Sequence, residues 1–176
     1  CVASLGDLAH LVVDTGAEGP CPGGHPTGAY LWAYRNVPAE TYLFIQDSMV
    51  ALTDPWPWFL EQMPEGLGAV AWGQFPMQWD GSGQKEWVEA AYPGVPEPAH
   101  GVFGPVFAIR RSTLEHLDDA GKLPPVPTNR IEAQGTERAW AYALSGLPVA
   151  GPLWNADQMR APEGFGPFRK VFANRP

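Results

Sequence analysis

The run YLFIQ, Tyr42 to Gln46, shows no alternation of apolar and polar residues before it meets a carboxylate at Asp47. A strand with one wet face alternates, whereas an unbroken apolar run fits a strand covered on both faces. Such a strand requires layers on both sides of it, which points to a central sheet flanked by helices.

The rest of the chain agrees with that architecture. LAHLVVDTG, Leu8 to Gly16, reads as a short strand ending at Asp14, followed by a turn-rich loop. TGAYLWAYRN reads as a helix with Thr27 as N-cap and Tyr30, Leu31 and Tyr34 on one face. DPWPWFLEQM has Asp54 and Pro55 in the order of a cap and a first-turn proline, and GLGAVAWGQF is a further apolar strand. Between Gln78 and His100 the chain is rich in Gly, Pro and acid and reads as a long surface loop. GVFGPVFAIRR returns to strand character, and Ser112 with Glu115 has the spacing of a capping box opening STLEHLDDAG. After the proline-rich KLPPVPTNR, TERAWAYALSG reads as a helix starting at Thr136, with Glu137 in its first turn and Gly146 as its stop. Strands alternating with helices predict an α/β fold with a largely parallel central sheet, and 176 residues predict one domain, 1–176.

Charge narrows the partners. The net charge is −8 with only 11 Lys and Arg, too few cations to neutralise a nucleic-acid backbone without sequence specificity. No apolar run approaches a membrane span and no stretch reads as a signal peptide, so the expectation is a cytoplasmic protein. Cys1 and Cys21 form neither a disulfide framework nor part of a metal quartet. His10, His25, His100 and His116 lack zinc spacing; His10 fits a core position, His116 a helix surface, and His25 and His100 lie in loops that approach a crevice.

In an open parallel sheet the ligand crevice lies beyond the carboxyl ends of the strands. Asp14 and Asp47 both fall there, which makes them candidates for one site, with a turn cap as the plainer role for Asp47. Aromatic faces pack well on sugar rings, and most of the eight tryptophans fit the core. Trp79 and Trp87, in the long 78–100 stretch, are the best candidates for ligand contact.

The succession LVVDTG, GHPTGAYLWAYRN, YLFIQDSM, FGPVFAIRRSTLEHL and GTERAWAYALSG resembles the nucleotide-sugar-dependent glycosyltransferases with the A-type, Rossmann-like fold. The resemblance covers most of the chain and rests on the order of the motifs. It implies transfer of a sugar from a nucleotide-sugar donor to a hydroxyl acceptor, a glycan or a protein. It makes Asp47 the first acid of an Asp-X-Asp type motif holding Mn or Mg against the donor diphosphate, and Asp14 the acid near the donor base or ribose. Gly28 matches the glycine of the helix before the metal strand, Gly104 the acceptor-side glycine, and Glu137 the acid that acts as catalytic base. The closing GPFRKVFANRP matches a segment whose basic residues, here Arg169, Lys170 and Arg175, approach the donor phosphates, although a solvated basic tail explains the same charges.

Two positions depart from the family pattern. Met49 stands where the second acid of the metal motif falls, and Arg138 where the family often has its catalytic Asp. These departures support a rival reading, an inactive relative that binds a carbohydrate or a protein partner. A third reading is a different α/β enzyme using Asp14 and Asp47 without a nucleotide sugar.

Overall fold

The computed structural model describes residues 10–14, 18–20, 25–79, 81, 83–102, 106–154 and 163–171. Helix α1 (His25–Asn36) leads into β1 (Thr41–Ile45), followed by β2 (Met49–Ala51) and α2 (Trp56–Gln62). Strands β3 (Ala69–Ala71) and β4 (Gln74–Pro76), helix α3 (Gln84–Ala91), and strands β5 (His100–Val102) and β6 (Val106–Arg110) come next. Helices α4 (Arg111–Asp119) and α5 (Arg130–Ala143) then precede β7 (Val149–Ala150) and β8 (Phe168–Lys170).

The protein is mixed α/β, built on a four-stranded sheet of order β1-β6-β3-β7. Its pairings correct the expected largely parallel sheet: β6 runs antiparallel to both β1 and β3, and only β3 with β7 is parallel. The excursion through β4, α3 and β5 explains this. It returns the chain so that β6 enters between β1 and β3 in the opposite direction, where a simple strand-helix-strand crossover would have kept them parallel. Two antiparallel pairs, β2 with β8 and β4 with β5, flank the main sheet.

Both faces of that sheet are covered. Tyr42 and Phe44 of β1 and Phe107 and Ile109 of β6 pack with Tyr30 and Leu31 of α1 and Ala139 and Trp140 of α5. On the other face Val70, Val106 and Ala108 meet Met49, Phe59, Trp72, Trp154 and Phe168. The unbroken apolar runs therefore have their physical reason, since odd and even residues of β3 and β6 enter different cores.

Several expected elements change. Residues 10–14 are not a strand; Leu11 and Val12 are 57% and 64% exposed, and among the described residues no strand pairs with them. A ladder partner is what stabilises an extended segment, and β-branched composition alone does not provide one. The stretch from Gln78 to His100 contains α3, which opens at Gly83, whose backbone N–H donates to Glu86 Oε2 at 3.0 Å. Thr27 and Ser112 lie inside helices and cap neither: α1 begins at His25 and α4 at Arg111.

Helix α5 starts at Arg130, not at Thr136. Asn129 Oδ1 accepts from the Glu132 N–H at 3.0 Å, while Glu132 Oε2 accepts from the Thr128 N–H and hydroxyl at 2.6 and 2.9 Å. These bonds, the Thr128 N–H foremost, hold the Glu132 carboxyl below its ordinary range. The anchoring is therefore present above the unfolded carboxylate range and is lost as pH falls through the lower folded value.

The parallel β3–β7 pair depends on one glycine. Gly151 follows β7 with φ 125°, and a Cβ there would run into the Ala71 carbonyl of β3. Gly151→Ala is expected to destabilise the fold by about 1–3 kcal/mol, lowering the thermal midpoint by roughly 2–12 °C in a circular-dichroism melt. An unchanged midpoint would contradict the close approach of the two strands.

Candidate active site

Strand β1 delivers its last residues into a turn: the Met49 N–H donates to the Gln46 carbonyl at 3.1 Å, which puts Asp47 at the exposed tip. Beneath the turn lies Tyr30 of α1, whose ring stacks on Phe44 with centroids 4.4 Å apart and meets Phe107 edge-on at 5.5 Å. Burial pushes the Tyr30 phenol far above its ordinary pKa; a hydrogen bond with the Gln46 side chain opposes this, and the charges of Glu137 and Asp47 add to it. Tyr30 is thus a neutral hydroxyl against which two acidic side chains from different elements are set.

Glu137 also bears on a cation. Lys170 of β8 is partly buried, which lowers its pKa, and the negative charge of Glu137 on α5 works the other way. Asp47 and Glu137 thus both bear on the Tyr30 phenol, and Glu137 bears on Lys170 as well. Glu137 sits about two turns into α5, so the expected stabilisation by a helix N-terminus does not apply to it. Its setting is ionic instead, with Arg138 Nη1 3.7 Å away.

Arg138 is only 4% exposed and is engaged by the fold. Its Nε donates to the Gln78 carbonyl at 3.0 Å, its Nη1 to the Gln134 carbonyl at 2.9 Å, and its guanidinium lies 4.9 Å from the Phe75 ring centroid. An arginine at this position ties the segment after β4 to α5, work that an Asp could not do.

Other expected site residues are placed elsewhere. Arg169 is exposed on β8. Asp14 is exposed, while its neighbours His10 to Val13 line a groove of about 330 Å³ with α1, β1 and Asp47. That volume falls within the range of small-molecule sites. Gly28 is buried in α1, and a Cβ on it would sit 3.3 Å from Val126 Cγ1, so its small size serves helix packing. Trp79 donates its indole N–H to Glu97 at 3.2 Å, beside the Lys85–Glu97 pair at 2.8 Å. Trp87 lies on α3 rather than in a loop, its ring against Gly135 of α5. Gly104 and Arg175 lie outside the described residues.

The divalent cation implied by the family resemblance meets a poor donor set. Met49, at the position of the second acid, has no exposed surface and packs with Phe59, Trp72 and Phe168. Hard divalent cations take oxygen ligands, and a buried thioether offers none. Among the described residues no group of three or more His, Cys, Asp or Glu side chains is arranged to hold a metal ion.

Tyr30 and Gln46 were legible only as an apolar helix position and a strand end, and their role at the cluster follows from the packing of α1 on β1. The effect of Glu137 on Lys170 had no local signal in the sequence. No family model matches the chain, and neither a curated protein nor a solved structure shows significant similarity to it. No helix among the described residues is long and apolar enough to cross a membrane.

Proposed function

We propose that this protein is a glycosyltransferase that moves a sugar from a nucleotide-sugar donor to a hydroxyl acceptor, at a site made by Asp47, Glu137 and Lys170. The observation that supports the reading is that the charges of Asp47 and Glu137 both bear on Tyr30, and that Tyr30 and Asp47 line a groove of small-molecule size. The order of motifs in the sequence supplies the reaction class.

In this reading Glu137 takes the proton of the acceptor hydroxyl as the acceptor oxygen bonds to the anomeric carbon. The bond from that carbon to the donor phosphate oxygen breaks, and its electron pair leaves with the nucleoside diphosphate. Asp47, at the tip of the turn after β1, orients the donor by accepting hydrogen bonds from its hydroxyls. Tyr30, a buried neutral phenol hydrogen-bonded with the Gln46 side chain, adds no charge beside the two acids.

The test is a release assay with uridine- and guanosine-diphosphate sugars and hydroxyl acceptors. The expected outcome is nucleoside diphosphate released by the wild type and at least about 100-fold less by Asp47→Ala. A wild type that binds donor but releases nothing would instead support the inactive, carbohydrate- or protein-binding reading, which the buried Met49 and the engaged Arg138 favour.

A further inference from the structure

We propose that the outer edge of β1 is a docking site for an extended segment of another protein, with alternating apolar residues and basic ends, which adds to the sheet as a further strand. The inference goes beyond the transferase reading and does not depend on it, since it rests on backbone groups of β1.

The ladder between β1 and β6 tells which backbone groups face outward. The Arg111 N–H donates to the Glu40 carbonyl at 2.8 Å, so these two residues are a hydrogen-bonded pair. Such pairs alternate along an antiparallel ladder, and the register then gives Tyr42 with Ile109 and Phe44 with Phe107 the same pattern. Strand β6 agrees from its other side, where the Val106 carbonyl accepts from the Trp72 N–H at 3.1 Å. The N–H and C=O groups of Thr41, Leu43 and Ile45 therefore point away from β6, and among the described residues no strand pairs with that side of β1. All three residues line the groove of about 330 Å³.

The two edges of the sheet are finished differently. At the far edge β7 is two residues long, and the Gln74 side-chain amide donates to the Val149 and Gly151 carbonyls at 3.2 and 3.0 Å. The β1 edge is five residues long, pairs with β6 without a bulge, and holds neither proline nor a charged residue, the usual guards against a further strand. Ala29, Ala33 and Val37, one stripe of α1, line the groove beside this edge, and so do the exposed Leu11 and Val12. They offer apolar surface to the alternate side chains of an added strand, while its main chain bonds to β1.

Charge distinguishes the possible occupants. Glu40 and Asp47 are exposed at the two ends of β1, Asp14 is exposed nearby, and the chain carries a net −8. A second copy pairing edge to edge, antiparallel about Leu43, would bring Glu40 of each copy within one residue of Asp47 in the other, so that like charges meet at both ends. A foreign segment with basic ends meets opposite charges there instead.

The test titrates the whole chain into a fluorescein-labelled peptide of alternating valine and threonine with a lysine at each end, read by fluorescence anisotropy. Expected are saturable binding and slowed hydrogen exchange at the Leu43 and Ile45 amides. Methylating the interior peptide nitrogens, which removes the donors, should weaken binding by about tenfold or more, and so should replacing both lysines with glutamates. Leu43→Pro removes an outward donor and leaves the β6 ladder its bonds; it should weaken binding likewise, with a circular-dichroism melt reporting whether the fold persists. No binding to the wild type, or equal binding of methylated and unmethylated peptides, would overturn strand addition. A dimer in light scattering that protects the same amides and excludes the peptide would assign the edge to a second copy and overturn the proposal. None of these outcomes bears on nucleotide binding, so the transferase reading stands or falls by its own assay.

Discussion

Glu137→Gln is expected to lower kcat for sugar transfer by about 10²- to 10⁴-fold with little change in the donor KM, because it removes the proton acceptor and preserves the side chain's size. The Glu137 side chain is about a quarter exposed and its contact with Arg138 spans 3.7 Å. Arg138 keeps its bonds to the Gln78 and Gln134 carbonyls, so the α5 anchor persists in the variant. The thermal midpoint should therefore stay near that of the wild type. Steady-state release of nucleoside diphosphate at saturating acceptor measures the effect. A kcat within a factor of three of wild type would remove Glu137 from the chemistry.

Met49→Ala is expected to cost about 2–5 kcal/mol of stability, the range for truncating a buried methionine in a close-packed core. Met49 lies at the junction of β2 and β8 and packs in the core cluster of Phe59, Trp72 and Phe168, whose rings meet edge-on or tilted. Removing it opens a cavity that rings held on three separate segments of the chain do not readily close. The thermal midpoint should fall by roughly 4–20 °C in a circular-dichroism melt. A variant that melts with the wild type would show that Met49 is dispensable to the core and reopen its position for ligand binding.

These predictions divide along what a linear reading could reach. The apolar runs at 42–46 and 106–110 announced strands because burial on both faces leaves a local mark. Their direction in the sheet left no such mark, since it depends on how α3 and the β4–β5 pair route the chain back to β6. The early start of α5 was legible in principle, because Asn129 and Glu132 have capping spacing. Asp47 was visible as the end of a strand. That Lys170 lies on the face of Phe168 and Met49 while Arg169 lies on the other is a property of the β2–β8 register, formed across more than a hundred residues of sequence.

The same separation bears on the two positions that depart from the pattern the sequence resemblance implies. Met49 and Arg138 stand, along the chain, where that pattern has acids. In the fold each has a packing role, one sealing the core under the turn and the other binding α5 to the segment after β4.

The measurement that bears most directly on the shared site is the affinity of the protein for uridine and guanosine diphosphates, read by calorimetry in wild type, Asp47→Ala and Lys170→Met. The account predicts that at least one nucleotide binds the wild type and that each substitution weakens it while the protein stays folded. Absence of binding by the wild type, or binding unaltered in both variants, would contradict the assignment of Asp47 and Lys170 to one donor site.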